Sequence, residues 1–106
     1  KMKVNVTNPI LSVKNEPIKD SKEEPFTYQD AIYIALNNQQ QNEVLTAEDK
    51  TKIFQLSIKL YSGSEVDFTD TERVLIKERA GKILDPLSYG RILELFEEKI
   101  PEENPA

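Results

Sequence analysis

The feature that most constrains this chain is a helix-start signal that occurs three times. A threonine is followed three residues later by an acidic residue in Thr27–Asp30, Thr46–Asp49 and Thr69–Glu72. In such a capping box the two side chains each accept a hydrogen bond from the backbone N–H of the other residue. Asp85-Pro86 is a fourth start, because aspartate is a good N-cap and proline suits the first helical position. The sequence therefore predicts four helices.

Each predicted helix has apolar residues at three- and four-residue spacing, which indicates one face turned to a core. Gly63 and Gly81 follow the second and third patterns and predict left-handed helix stops. Gly90 falls inside the fourth helix, where glycine costs about 1 kcal/mol relative to alanine, so close helix packing or a partner contact is expected there. The predicted buried stripe of the first helix is Ala31, Ile32, Ala35 and Leu36, and the predicted inward face of the second is Ile53, Phe54, Ser57, Ile58, Leu60 and Tyr61. The apolar residues of the third helix are Val74, Leu75, Ile76 and Ala80, and those of the fourth, which cover more than half of its circumference, are Leu87, Ile92, Leu93, Leu95, Phe96 and Ile100.

The segment before the first helix has an extended pattern over residues 3–20. Lys14–Pro17 has turn chemistry, because asparagine tolerates the left-handed region and proline fixes φ. A short hairpin that returns Ile18 beside Val13 is therefore predicted. The alternative is an irregular arm that docks through Ile10, Val13 and Ile18.

A second extended stretch lies between the second and third helices, where Val66 and Phe68 alternate with acidic residues. This alternation predicts a short strand that can pair with the N-terminal segment. The predicted fold is α+β and mainly α, with an N-terminal hairpin or extended arm followed by a bundle of about four helices. We expect an arm packed on the domain over residues 1–25, a helical domain over 26–100 and a disordered tail over 101–106.

The composition argues against several classes of chemistry. The chain has 106 residues with no cysteine and no histidine, and these residues supply thiolate nucleophiles, the commonest general base and many metal ligands. The three glycines form no phosphate-binding loop, and Glu65–Asp70 lacks the glycine and final glutamate of a calcium loop. We therefore predict no cofactor, no metal site, no small-molecule substrate and no enzymatic activity.

Charge and hydropathy indicate the setting. The net charge is −5, which disfavours nucleic acid as a partner unless the cations gather on one face. No apolar run approaches the length of a membrane span, and the first ten residues lack the apolar core of a signal peptide. A cytoplasmic protein with protein partners is the expectation.

Apolar residues outside the inward stripes indicate either a thicker core or an interface, and both readings remain open. Aromatic side chains dominate protein contacts, so the first and last helices supply the candidate anchors. The residues outside the stripes are Tyr33, Ile34, Leu56, Ile76 and Leu95, and the candidate partner-binding residues are Tyr33, Ile34, Tyr89 and Phe96.

A basic concentration near the last two helices supports an alternative, a helix-turn-helix regulator that binds DNA. Its residues are Lys77, Arg79, Lys82 and Arg91. The predicted turn over 81–85 is longer than the usual one, and the overall charge is unfavourable. A third hypothesis is an acidic mimic of nucleic acid, which requires carboxylates clustered on one surface.

The overall layout resembles small open reading frames of tailed bacteriophages and prophages. The resemblance lies in the stretch MKVNVTNPILSVKNEPIKD at residues 2–20, in Pro25-Phe26-Thr27 opening a helix, and in LSIKLY at 56–61 ahead of VDFT at 66–69 and LIKER at 75–79. It implies a phage protein in the bacterial cytoplasm that binds a host protein or a virion component under assembly. Together with the composition, the resemblance favours a non-enzymatic protein-binding module that binds either another protein or further copies of itself.

Overall fold

The computed structural model describes residues 2–96, and the predicted tail over 101–106 and Ile100 lie outside this range. It confirms the predicted fold class, which is mainly helical with a small β part. The elements in chain order are β1 (Met2–Asn5), α1 (Tyr28–Asn37), α2 (Ala47–Leu60), β2 (Glu65–Phe68), α3 (Asp70–Ile83) and α4 (Pro86–Leu95).

All four predicted helix starts are confirmed. The capping boxes at Thr27, Thr46 and Thr69 each form both reciprocal hydrogen bonds, and these six bonds measure 2.8 to 3.1 Å. Asp85 accepts a hydrogen bond of 2.9 Å from the Ser88 N–H at the start of α4. Each cap satisfies backbone donors that the first helical turn leaves without a partner.

The predicted glycine stops are wrong. Within residues 2–96 no glycine has a positive φ, and α3 continues through Gly81 to Ile83. Pro86 supplies the reason, because it disfavours a helical conformation at Asp85. Helix α3 therefore ends just before that residue, where the Leu84 N–H donates to the Ala80 carbonyl at 2.9 Å.

The N-terminal segment makes two separate β contacts. Strand β1 pairs antiparallel with β2, so the predicted partner of the second extended stretch is confirmed. A short hairpin follows, in which the Ile18 N–H donates to the Ile10 carbonyl at 3.0 Å and Asn15 is left-handed. The predicted pairing of Ile18 with Val13 is wrong, because the Ser12 side chain accepts from two turn N–H groups and Val13 lies exposed at the tip.

The core lies between the small sheet and the helices. Helix α1 packs on both α2 and α3, and α3 packs on α4. The rings of Phe68 and Phe96 meet edge to face with centroids 5.8 Å apart, which joins the sheet to the end of α4. The largest fully buried side chains include Phe68, Phe96, Ile10, Ile32, Leu36, Leu60, Ile76 and Ile92.

Helix α2 buries only part of the predicted face, because Ile53 and Leu60 are buried as predicted and Phe54, Ile58 and Tyr61 are not. Its buried residues are Ile53, Leu56 and Leu60, whereas the predicted inward residues Phe54 and Ile58 are exposed. The helix carries two apolar stripes, and only one of them can face α1 and the sheet at the same time. In α3, Val74 was predicted to lie on the apolar side of the helix but is exposed. Leu56 and Ile76, which were predicted to lie outside the inward stripes, belong to the core.

The longest helices among the described residues have 14 residues. A bilayer requires about 20 residues of helix, and no helix in residues 2–96 is both long and apolar enough to cross one.

Candidate protein-binding face

A groove lined by apolar side chains and by the uncharged polar residues Asn37, Gln39 and Ser57 runs between α1 and α2 on the outside of the molecule. Its volume is about 660 Å³, within the range of sites that bind organic ligands or peptide side chains. The groove lies over the second apolar stripe of α2, the one that the core does not use. We call it the α1–α2 groove, and it is lined chiefly by Tyr33, Leu45, Lys50, Phe54, Ile58 and Tyr61.

Large apolar side chains are concentrated around this groove. Phe54 is 64% exposed, Ile58 59%, Tyr61 51% and Tyr33 45%. Such residues scattered singly are normal on a protein surface, but a contiguous group marks an interaction site. The other exposed large apolar side chains in residues 2–96 include Ile34, beside Tyr33 on α1, and three valines at positions 13, 44 and 74.

Charge is nearly absent from the same surface. Charged residues make up 31% of the chain, yet Lys50 is the one charged residue among those described as lining the α1–α2 groove. Depletion of charge together with enrichment in aromatic residues is the compositional signature of the centre of a protein interface. The groove has both.

Polar contacts join the two helices along the groove, and two of the residues that make them, Asn37 and Ser57, line it. The Asn37 side-chain amide donates to the Ser57 hydroxyl at 3.0 Å, and that hydroxyl donates to the Ile53 carbonyl at 2.8 Å. At the other end the Gln29 amide donates to the Leu60 carbonyl at 3.2 Å. The site is therefore formed before any partner arrives, which lowers the entropy that binding must overcome.

Two tyrosines form one end of the groove. The rings of Tyr33 and Tyr61 meet edge to face with centroids 6.0 Å apart. Burial raises the pKa of the Tyr61 hydroxyl, and the Asp30 carboxylate and Tyr33 raise it further. The hydroxyl therefore stays protonated at neutral pH and can donate a hydrogen bond to a partner.

The groove depends on the loop between α1 and α2, which carries Leu45. Arg79 of α3 is 2% exposed, and its Nε donates to the Ala35 carbonyl at 3.3 Å. Its other nitrogens donate to the Asn38 carbonyl and the Glu43 carboxylate. Residues 37–43 are rich in asparagine and glutamine, a composition with weak structural preference, yet Arg79 joins this loop to α3 near both of its ends.

Glu43 is the acidic half of this tie. The hydrogen bond from Arg79 and then the one from the Gln40 N–H lower the pKa of the Glu43 carboxyl from 4.5 to about 2. Lys82 adds a second cation, with its Nζ 3.6 Å from the Glu43 carboxylate. Glu43 is therefore ionised at all ordinary pH values and serves the architecture of the loop.

The four predicted anchors do not come together. Tyr33 lies in the α1–α2 groove, and Ile34 is exposed beside it on α1. Tyr89 packs partly buried against the core, and Phe96 is almost fully buried against Phe68. In this conformation only the anchors on α1 are available to a partner.

Sequence reasoning missed three residues of the groove, because it placed Phe54, Ile58 and Tyr61 on the inward face of α2. The signal that could have found them is a second periodicity. Residues 47, 51, 54, 58 and 61 are spaced by four, three, four and three positions, which is the heptad spacing of a helix that packs on another helix.

The basic residues proposed for DNA binding form no common surface. Arg79 is buried, and it donates to the Asn38 carbonyl and the Glu43 carboxylate of the α1–α2 loop. The Arg91 guanidinium donates to the carbonyls of Leu11 at 2.8 Å and Ser12 at 2.6 Å. Arg91 thus fastens the hairpin onto α4. Lys77 lies half-buried on α3, and Lys82 lies near Glu43 at the end of the same helix.

The predicted length of the turn before α4 is also wrong. It consists of two residues, Leu84 and Asp85, instead of the segment 81–85. The usual helix-turn-helix turn has about three or four residues, so this turn is shorter than usual, where the sequence predicted a longer one. The internal use of Arg79 and Arg91 is now the stronger argument against DNA binding.

Acidic side chains do not assemble into an ion site in the part of the chain that the structure describes. Within residues 2–96, no three of them lie close enough together to hold a metal ion. The comparisons with known proteins add no functional evidence. No protein-family model matches the chain, and no curated protein or solved structure is significantly similar to it.

Proposed function

We propose that this protein is a non-enzymatic protein-binding module that contacts another protein chain through the α1–α2 groove. The observation that carries this proposal is the group of exposed Phe54, Ile58, Tyr61 and Tyr33 around a nearly uncharged groove. Leaving these side chains in water costs free energy, at about 25 cal/mol per Å² of apolar surface. A partner that covers them recovers it.

The spacing on α2 supports a helix as the partner's contacting element. Apolar positions that recur every 3.5 residues on average suit knobs-into-holes packing against a second helix. Four of the five positions of this spacing are apolar, the exception being Thr51, and all five are exposed along α2 and its C-cap Tyr61. An amphipathic helix lying along α2, with its flank against Tyr33, fits this pattern.

The resemblance to small phage open reading frames supports a bacterial cytoplasmic setting. In that setting the second chain is a host protein, a virion protein under assembly or another copy of the same protein. The resemblance carries no residue assignment, so the groove alone defines the proposed site.

The test is a capture experiment with matched variants. The tagged chain is incubated with bacterial lysate and with its own untagged form, with and without nuclease, and the retained proteins are identified. Ile58→Glu places a charge in the groove, and Val74→Glu places the same charge at an equally exposed residue of α3, 59% against 60%. Far-ultraviolet circular dichroism verifies that both variants fold.

We expect the wild type and Val74→Glu to retain the same protein in both nuclease conditions, and Ile58→Glu to lose it. Retention by Ile58→Glu would place the contact elsewhere and overturn the proposal. Loss of all retained material on nuclease treatment would instead return the nucleic-acid alternative.

A further inference from the structure

We propose that the face that carries the α1–α2 groove packs against the same face of a second copy of the chain. The two α2 helices then lie antiparallel about a two-fold axis. This inference rests on the proposed function and names the partner. It commits the chain to a closed, symmetric pair, in which each contact between two different residues occurs twice.

The heptad spacing fixes the register of this pair. Residues 47, 54 and 61 occupy one heptad position of the stripe, and residues 51 and 58 occupy the other. In an antiparallel arrangement a residue of one position faces a residue of the other position across the interface. Phe54 then packs against Ile58 of the second copy, and Thr51 against Tyr61 of the second copy. The axis passes beside residue 56, midway between Phe54 and Ile58. Both of these residues are more than half exposed in the single chain.

The charges at the two ends of the groove select the antiparallel direction. Lys50 lines the end near the start of α2, and the Asp30 carboxylate lies beside Tyr61 at the other end. Lys50 and Tyr61 are separated along the helix by about 16 Å. Reversing one copy brings the Lys50 end of each groove to the Asp30 end of the other. A parallel pair would instead bring the two Lys50 ends together and the two Asp30 ends together.

The residues that flank the stripe agree with this direction. In the antiparallel register Glu48 faces Ser62 of the second copy, and Gln55 faces Gln55 of the second copy. Neither contact opposes like charges. The antiparallel helix dipoles are favourable as well. The face is therefore complementary to itself, which a surface evolved for an unrelated helix has no need to be.

The register can be tested by cross-linking, because the chain has no cysteine of its own. Gln55→Cys introduces a single thiol next to the two-fold axis. We expect it to form a covalent dimer under mild oxidation, at a concentration at which Glu78→Cys, an exposed residue of α3, stays monomeric. Equal cross-linking of the two variants would overturn the register.

Sedimentation equilibrium tests the pair itself. We expect the wild type and Val74→Glu to reach twice the mass of one chain, and Ile58→Glu to remain a monomer. Phe54→Ala removes an anchor that the pair uses twice, so we expect the dimer dissociation constant to rise on the order of 100-fold, about tenfold for each copy. Phe54 is a surface residue, so the variant retains its fold.

The outcomes separate this inference from the proposed function. A monomeric wild type that still retains another protein through Ile58 would overturn the second copy as occupant and leave the protein-binding role intact. A dimer that persists in Ile58→Glu would place self-association on another face and overturn the inference. If neither dimerisation nor capture depended on Ile58, both the inference and the proposed function would fail.

Discussion

Arg79 is a buried cation whose hydrogen-bond acceptors come from outside its own helix. It binds the Ala35 and Asn38 carbonyls at the end of α1 and the Glu43 carboxylate of the loop. A planar guanidinium, which spreads five N–H donors over three nitrogens in a rigid plane, is well suited to three acceptors that lie apart from one another. The side chain lies on α3, so one residue fixes how α3, α1 and the wall of the α1–α2 groove meet.

We predict that Arg79→Met lowers the free energy of unfolding by about 3 kcal/mol, because it leaves buried acceptors without a donor while keeping most of the side-chain volume. Arg79→Lys retains the charge but not the planar guanidinium, so we expect it to lower the free energy of unfolding by part of this amount. Urea unfolding followed by circular dichroism measures both. Lys52→Met, at a well-exposed salt bridge of α2, is the control and should change stability by less than about 0.5 kcal/mol. A loss at Arg79 no larger than the control's would contradict the structural role of the guanidinium.

Glu43 predicts an acid-sensitive component of stability. The pKa of its carboxyl is about 2 in the folded chain against a usual 4.5, so folding stabilises the ionised form of the side chain. The resulting stabilisation is fully present above pH 4.5 and is lost as the pH falls towards 2. We expect the wild type to lose more unfolding free energy between these pH values than Glu43→Gln, which has no carboxyl to protonate. Urea titrations at several pH values measure this, and parallel profiles for the two proteins would refute it.

At the scale of the element, Gly90 is a weak point of α4. It lies inside the helix, and no atom outside the local helix backbone stands within 4 Å of where a β-carbon would be. The close packing that the sequence suggested there is not observed. We therefore predict that Gly90→Ala raises the free energy of unfolding by about 1 kcal/mol, and Gly90→Ser by about half as much. Thermal or urea unfolding measures the gain. A lower free energy of unfolding in both variants would contradict the prediction and show that the position requires glycine.

The helix starts could be predicted because they are local. Thr27, Thr46 and Thr69 each need only the residue three positions later to form a cap, and all three do. The inward face of α2 could not be predicted in the same way, because Phe54 and Ile53 both belong to apolar stripes. The docking of α1 decides between the stripes, and that choice is a long-range property.

The candidate site was only partly predictable for the same reason. Tyr33 was found because it lies outside the inward stripe of its own helix. Arg79 was assigned to a basic surface, since its acceptor at Ala35 lies 44 residues earlier and no local spacing reveals such a contact. Phe96 was taken for a surface anchor because the ring that covers it, Phe68, belongs to a distant strand.

At the scale of the whole molecule, residues 2–96 leave one stripe of α2 without a partner element. The buried residues of this helix are Ile53, Leu56 and Leu60, and the stripe through Phe54 and Ile58 lies mostly exposed outside the core. An apolar stripe that the monomer does not use gains a physical role when a second chain covers it. Stability and association are then linked through the same helix.

This linkage predicts that the melting temperature depends on protein concentration. Association that requires the folded state stabilises it by mass action, so the wild type should melt higher as its concentration rises. Over a hundredfold range of concentration the expected increase is about 5 °C for a domain of this size. Circular dichroism or calorimetry at matched scan rates measures it.

The two glutamate variants give this measurement its meaning. Ile58→Glu should melt at a temperature independent of concentration, because a charge at the centre of the interface prevents pairing while the exposed position tolerates it in the monomer. Val74→Glu should keep the wild-type dependence. If Ile58→Glu showed the wild-type dependence, the chains would associate through a face other than α2, because only a contact that includes Ile58 is sensitive to that charge.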